Sequence, residues 1–245
     1  VFFMANLLVF LFGLAIGSFL NVVIFRLEKE EEMIFRPSHC PHCNHNLQVN
    51  DLIPILSFLL LRGKCRYCRQ KISWQYPLVE MVTGLAFLLI WNFSLPLAQR
   101  LPLLGIACAL IVIFVFDWKH CLIPGQALYP ALAFAIAYHY PHFEMPYIWA
   151  GLGFAFTLFI PYFISHEEWM GLGDVELAGF LGFWLGPEKS FLCLLLASFI
   201  GAIIGLSLVI AKKKSMKSSL PFGPLLILGG ILAYGWGDFF LNYLI

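Results

Sequence analysis

Residues 1–25 read VFFMANLLVFLFGLAIGSFLNVVIF, an apolar run that contains no charged side chain. About 20 such residues in a helix are enough to cross the hydrocarbon core of a bilayer. The run carries neither a basic n-region nor a small-residue cleavage site, so we expect a retained transmembrane helix rather than a signal peptide. This stretch alone favours an integral membrane protein.

The composition of the whole chain supports the same class. Of 245 residues, 61% are hydrophobic and 12% are charged, whereas soluble domains carry about a quarter charged residues. The formal net charge of +1 provides no basic field for a nucleic-acid partner, so we expect none. Seven cysteines in so apolar a chain do not indicate a secreted disulfide scaffold. The fold class predicted is an all-α polytopic membrane helical bundle in contact with the lipid bilayer.

Eight apolar segments are candidate transmembrane helices, of which the sixth is short. They are 1–25, 77–95, 101–116, 124–140, 147–164, 175–187, 189–211 and 222–245. The chain then divides into a first transmembrane helix (1–25), a polar insert with four cysteines (26–76) and a transmembrane bundle (77–245). Two small-residue pairs, Gly13/Gly17 and Gly201/Gly205, would allow helices to approach closely. No clear internal repeat is visible.

The basic residues predict the orientation of these segments. With eight alternating spans, 13 of the 15 lysines and arginines fall on one side, and only Arg100 and Lys189 fall on the other. Cytoplasmic loops carry such an excess. The N-terminus is therefore expected outside, with the insert 26–76 in the cytoplasm.

The insert contains two C-x2-C pairs, Cys40 with Cys43 and Cys65 with Cys68. Four thiolates close the tetrahedral shell of a zinc ion, and a closed shell indicates a structural site. A reducing cytosol favours metal over disulfides, and a metal would let a segment with little core fold. Four free or redox-active thiols remain the alternative.

Acidic residues near membrane spans are rare and are functional candidates by default. The predicted topology puts Asp117, at the end of the third span, and Asp174, at the start of the sixth, on the cytoplasmic face. Two close carboxylates can share one proton and act as acid and base on a water molecule. Gly171 and Gly173 beside Asp174 would let an extended peptide approach. Two unrelated helix-end carboxylates are the alternative.

At these residues the sequence resembles the bacterial type IV prepilin peptidase family. The similarity covers nearly the whole chain, and its motifs stand in family order. They are Gly17-Ser18-Phe19-Leu20-Asn21, Arg36-Pro37-Ser38-His39-Cys40, Gly63-Lys64-Cys65, Tyr76-Pro77-Leu78-Val79-Glu80, Asp117 with Ile123-Pro124, Gly171-Leu172-Gly173-Asp174 and Pro221-Phe222-Gly223-Pro224. The compact form also resembles the competence-system members of Gram-positive bacteria. The family often has Lys at the position of Glu176 and Asp or Asn at that of Gly125, so the chain departs from it there.

The resemblance implies an intramembrane aspartic protease of the GxGD class in the bacterial cytoplasmic membrane, with Asp117 and Asp174 as its catalytic aspartates. Its substrate would be a prepilin or pseudopilin precursor, cut after Gly at the cytoplasmic face. Most members then methylate the new N-terminus with S-adenosylmethionine, and Gly63 and Lys64 match positions associated with methyl transfer. The bundle 77–245 would then be the catalytic unit.

Two other functions remain open on the residues alone. A transporter could use paired membrane acids as a proton or cation relay, although such sites usually lie near the midplane. A non-catalytic membrane scaffold could use its zinc insert to recruit a cytosolic partner. A zinc protease is disfavoured, because the sequence has no H-E-x-x-H motif and four cysteines leave no open metal position.

Overall fold

A computed structural model describes residues 2–30, 37–140, 143–167, 170–211 and 221–244. In these ranges the chain is helical, and its β-structure is limited to two isolated bridges. The helices are α1 (Phe2–Lys29), α2 (Leu56–Leu60), α3 (Gln75–Trp91), α4 (Leu97–His120), α5 (Gly125–His139), α6 (Met145–Ser165), α7 (Leu172–Leu185), α8 (Pro187–Ile210) and α9 (Gly223–Leu244). The predicted all-helical class is confirmed for this part of the chain. Five of the 13 basic residues that predict the orientation, Arg36, Lys212, Lys213, Lys214 and Lys217, lie outside the described residues.

Five helices in the described ranges are long and apolar enough to cross a membrane. They are Phe3–Lys29, Leu97–His120, Met145–Ser165, Pro187–Ile210 and Gly223–Phe240. Helix α3 is apolar but has 17 residues, and α7 has 14, which gives about 21 Å against a core of about 30 Å. The chain is thus a membrane protein with several apolar helices, and the count of eight spans stays a prediction.

The chain forms two compact units, with the boundary between Val112 and Ile113. In the first unit α1 packs along α3 through glycines. A Cβ built on Gly17 would lie 2.6 Å from the Cα of Glu80, and one on Gly13 would lie 2.8 Å from the Cα of Gly84. Only a residue without a side chain permits such an approach, so the close packing predicted for Gly13 and Gly17 is confirmed.

In the second unit α7 runs antiparallel to α6. A Cβ on Gly182 would meet the Ala150 carbonyl oxygen at 2.5 Å, and one on Gly179 would meet the Ala155 Cβ at 3.4 Å. Residues late in α7 therefore lie beside residues early in α6. The end of α6 consequently lies beside the start of α7, the helix that begins with Leu172-Gly173-Asp174.

Helices α8 and α9 form the other close pair of the second unit. A Cβ on Gly229 would meet the Cys193 carbonyl oxygen at 2.5 Å, and one on Gly201 would meet the Leu225 Cδ1 at 2.9 Å. No atom of the residues that the structure describes lies within 4 Å of the Gly205 Cβ position. Of the predicted pair Gly201 and Gly205, only Gly201 lies at a helix contact in the part of the chain described.

Candidate active site and metal centre

Each C-x2-C pair sits in a tight backbone hairpin. The N–H of Cys40 donates to the His45 carbonyl at 3.0 Å, and the N–H of Cys65 donates to the Gln70 carbonyl at 2.8 Å. In both pairs, therefore, the N–H of the first cysteine donates a hydrogen bond to the carbonyl of the residue five positions later. This geometry directs both thiols of a pair toward one point, as two ligands of the same metal ion require.

The two hairpins are an internal structural repeat that sequence analysis missed. Segments 38–47 and 63–72 have the same pattern of hydrogen bonds, and a 2.8 Å bond joins the ends of each. Asn44 and Arg69 occupy equivalent positions, and both have a positive φ, 53° and 61°. Apart from the cysteines the segments share no residue at equivalent positions, so only the 25-residue spacing of the two pairs could have indicated the repeat.

The four predicted metal ligands come together. The Sγ atoms of Cys40, Cys43, Cys65 and Cys68 all lie within 4.8 Å of one another, and those of Cys40 and Cys68 are 3.9 Å apart. Zn–S bonds of about 2.3 Å place tetrahedral sulfurs about 3.8 Å apart. The cluster therefore fits a tetrahedral ion and could hold zinc.

Local hydrogen bonds prepare one thiol of the cluster for metal binding. Burial of Cys65 opposes its ionisation, but hydrogen bonds from the backbone N–H groups of Cys68 and Tyr67, together with those from the Cys40 and Cys68 thiols, lower the pKa of Cys65 to about 7. Because the thiolate is the form that binds metals, this shift favours ligation near neutral pH.

Asp51 stabilises the second hairpin (63–72) through contacts with Arg66 and Tyr67. It was not identified as a functional residue from the sequence. Its side chain is 4% exposed, and its Oδ1 lies 2.6 Å from the Arg66 Nε. The Tyr67 hydroxyl and the Gln48 N–H donate to its Oδ2, at 3.1 and 3.2 Å. Burial opposes ionisation of the carboxyl, but these bonds outweigh it and lower the pKa of Asp51. Asp51 thereby ties the 3₁₀ turn Val49–Asp51 to the residues between Cys65 and Cys68.

The two methyl-transfer candidates directly precede Cys65. Gly63 has φ +66°, and a Cβ there would lie 3.1 Å from the Phe58 ring, so the position favours glycine on conformational grounds. Lys64 is exposed and forms a bridge pair with Lys71. The glycine closes the turn after α2 and leaves the lysine accessible to solvent.

Asp117 lies near the end of α4, with its side chain directed into the protein. Asp117 is only 4% exposed. The backbone N–H of Gly223, at the start of α9, faces the carboxylate, and a Cβ on Gly223 would collide with the Asp117 Oδ2. That oxygen makes no hydrogen bond with any residue in the described ranges. Because buried polar atoms are seldom left unpaired, this oxygen is a functional candidate.

Asp174 occupies the first turn of α7, and it is partly buried. Its N–H donates to the Gly171 carbonyl at 3.1 Å, which fixes the turn that leads into the helix. A Cβ on Gly173 would lie 3.0 Å from the Ile123 Cβ. Gly173 therefore lets the start of α7 approach the segment that follows α4.

Ile123 lies between the surroundings of the two aspartates, because it contacts a glycine beside each of them. Its Cδ1 would lie 3.3 Å from a Cβ on Gly223, the glycine that faces Asp117, and its Cβ faces Gly173. The charges of Asp117 and Asp174 are close enough to interact. The two carboxyl groups that the topology predicted on one face thus lie at one end of the second unit. Gly223 and Ile123 occur in motifs quoted from the sequence, but no role at the site was predicted for either.

Comparison with known proteins identifies the family. Residues 11–93 match the family described as "Bacterial Peptidase A24 N-terminal domain", and residues 104–206 match the "Type IV leader peptidase family". The chain belongs to the type IV leader peptidase family, as its motifs predicted.

Several curated relatives are similar over almost their full length. The "Prepilin leader peptidase/N-methyltransferase" of Aeromonas hydrophila is 35% identical over 94% of this chain and 90% of its own. The protein of the same name from Pseudomonas putida is 32% identical over 92% and 88%. The "Type 4 prepilin-like proteins leader peptide-processing enzyme" of Escherichia coli is 35% identical over 89% of each chain. No solved structure matches.

Proposed function

We propose that this chain is a prepilin leader peptidase and N-methyltransferase. It removes the short basic leader after Gly from type IV prepilin or pseudopilin precursors, and it methylates the new N-terminal residue. The observation that carries this proposal is the sequence identity of 35%, over 94% of the chain, with a protein that has both activities in its name.

Asp117 and Asp174 would perform the peptidase reaction. The pair shares one proton and holds a water molecule, and the ionised carboxylate takes a proton from that water as it attacks the Gly carbonyl. The protonated carboxyl stabilises the oxyanion and then protonates the leaving amine. The burial of Asp117 and the unpaired state of its Oδ2 among the described residues support this role, because a polar partner would compete with the water.

Gly171 and Gly173 would admit the substrate backbone. The position of Gly171 is exposed, and the nearest side-chain atom to its Cβ position is the Asp174 Oδ2, at 3.9 Å. An extended peptide can approach such a backbone without steric hindrance. The basic leader would remain in the cytosol, while the apolar segment of the precursor lies along the helices.

Cys40, Cys43, Cys65 and Cys68 would hold one structural zinc ion, which supplies the insert with folding free energy that its small core lacks. S-adenosylmethionine would supply the methyl group of the second reaction. Gly63 and Lys64 are the candidates for that step, and the hydrogen-bonded turn that precedes Cys65 supports a link between the metal centre and the methyl-transfer site.

The topology proposed has eight spans, an outside N-terminus and an active site that faces the cytoplasm of a bacterial cell membrane. Residues 1–25 form the first span, 26–76 the cytoplasmic insert and 77–245 the catalytic bundle. With eight spans, 13 basic residues fall on one side and two on the other, and this asymmetry supports the proposed orientation. A transporter or a non-catalytic scaffold is not favoured, because neither explains similarity to peptidases along most of the chain.

The test is a reaction of the purified protein in nanodiscs with a prepilin, followed by intact-mass spectrometry. We expect a leader-sized mass loss, and a further gain of about 14 Da, one methyl group for hydrogen, only when S-adenosylmethionine is added. Absence of any mass loss with two pilins of different leader sequence would contradict the peptidase assignment. A leader-sized mass loss without the methyl-sized mass gain would contradict only the methyltransferase assignment.

A further inference from the structure

The short helix α2 of the insert presents an apolar face to its surroundings. Leu56, Leu59 and Leu60 follow the spacing that places residues on one side of a helix, and they are 50%, 61% and 74% exposed. Phe58 points the other way and is buried. A soluble surface rarely leaves three leucines together in water, so this face indicates an interaction site.

Two contacts fix α2 at the start of the apolar helix α3. The ring of Phe58 packs on that of Trp74 with centroids 4.9 Å apart, and Gln75 is the first residue of α3. The N–H of Ile55 donates to the Glu80 Oε2 at 2.7 Å. Trp74 and Glu80 are six residues apart, about 9 Å along a helix, so α2 is held within the first turns of α3.

The same end of α3 has the features of a membrane boundary. Leu78, Val82, Leu85 and Leu89 form one exposed stripe along the helix, as expected for a face in contact with lipid. Trp74, 69% exposed, precedes this stripe, and tryptophan concentrates where acyl chains meet headgroups. Helix α2 is therefore held beside Trp74, at the end of α3 where this stripe begins.

Positive charge follows the leucines in sequence. Arg62, Lys64, Arg69 and Lys71 are all exposed, and no acidic residue occurs between 52 and 79. Lysine and arginine beside an apolar helix face are typical of interfacial helices that bind anionic lipids. The charge of this segment is complementary to a phosphate-rich surface.

We propose that α2 is an interfacial helix, with Leu56, Leu59 and Leu60 in the boundary between headgroups and acyl chains of an anionic bilayer and Arg62 and Lys64 at the lipid phosphates. The occupant of the apolar face is lipid. The four-cysteine centre, whose second hairpin begins at Gly63, is thereby held at the membrane surface. This proposal requires a membrane protein but no catalytic activity, so it stands or falls apart from the peptidase assignment.

The test is photo-crosslinking of the full chain in nanodiscs that contain phosphatidylglycerol. A benzophenone amino acid is placed at Leu60, at Phe58 as the inward-facing control on the same helix, and at Leu89 as a lipid-facing control on α3. We expect phospholipid adducts at Leu60 and Leu89, with a yield at Leu60 at least about fivefold above that at Phe58. If the probe at Leu60 prevents folding, Leu59 provides a second position on the same face.

Adducts at Leu89 without adducts at Leu60 and Leu59 would overturn the proposal. Capture of another segment of this chain, or of a second copy, in place of lipid would overturn it as well. The charge component is tested by Arg62→Glu, with Arg62→Lys as its control. We expect the yield of phospholipid adducts at position 60 to fall with Arg62→Glu and to remain at the original level with Arg62→Lys. Equal yields in the two variants would contradict the role of positive charge.

Discussion

The backbone of Gly223 lies directly against the carboxylate of Asp117, so closely that the Cβ of any other residue would collide with the Asp117 Oδ2. Gly223 begins α9, whereas Asp117 lies near the end of α4. A glycine remote in sequence therefore sets the space around one of the two candidate catalytic acids.

Gly223→Ala should strongly reduce leader cleavage. The added methyl group must displace either the carboxylate or α9, and a displacement of about 1 Å at a catalytic group can lower the rate about 100-fold. The measurement is the initial rate of prepilin cleavage by purified protein. Gly235→Ala on the same helix is the control, because no atom of the described residues lies within 4 Å of its Cβ position. Equal rates for both variants would contradict the role of Gly223.

Loss of the Glu80 carboxylate should loosen the start of α2. Glu80 is buried and accepts the Ile55 N–H, and a buried donor left without an acceptor costs about 1–3 kcal/mol. Glu80→Ala should therefore speed hydrogen exchange in residues 55–61, as measured by mass spectrometry. Glu80→Gln keeps an acceptor oxygen and should exchange more slowly than Glu80→Ala. Unchanged exchange in Glu80→Ala would mean that the bond does not hold the insert.

Removal of the metal should unfold the insert. We expect one zinc ion per purified chain, measured by elemental analysis, and rapid proteolysis between residues 37 and 73 after treatment with a strong chelator, because structural zinc supplies folding free energy. Cys40→Ser should lose the ion, since three thiolates leave the tetrahedral shell incomplete. Cys121→Ser is the control, because this exposed cysteine lies outside the cluster. Full zinc occupancy in Cys40→Ser would contradict the site.

Asp51→Asn should hasten metal loss without removing a ligand. The variant keeps the size of the side chain but loses the charge that pairs with Arg66, and charge-assisted hydrogen bonds are about twice as strong as neutral ones. The rate of zinc transfer to a chromogenic chelator should rise several-fold. Asp238→Asn, which breaks the exposed ion pair with Lys189, should leave it unchanged. A rate of zinc transfer equal to that of the wild type would show that Asp51 does not stabilise the metal site through the hairpin 63–72.

Much of the architecture was predictable because membrane helices and metal ligands leave strong local signals. Long apolar runs predicted the helices, and paired cysteines predicted the cluster that the hairpins assemble. Asp117 and Asp174 could be selected because charge is costly near lipid. The roles of Gly223, Ile123 and Asp51 could not be predicted, because they depend on contacts between residues far apart in sequence. The interfacial position of α2 likewise depends on its contacts with Trp74 and Glu80, which no local pattern contains.

Asp117 and Asp174 are predicted to cleave the precursor together. The most direct measurement is intact-mass spectrometry of a prepilin co-expressed with wild type, Asp117→Asn, Asp174→Asn or Glu176→Gln, the last an exposed acid two residues beyond Asp174. We predict leader removal by wild type and Glu176→Gln, and a loss of about 1,000-fold or more in each aspartate variant. Full leader removal by Asp117→Asn or by Asp174→Asn, with the variant present in the membrane at the wild-type level, would contradict the account.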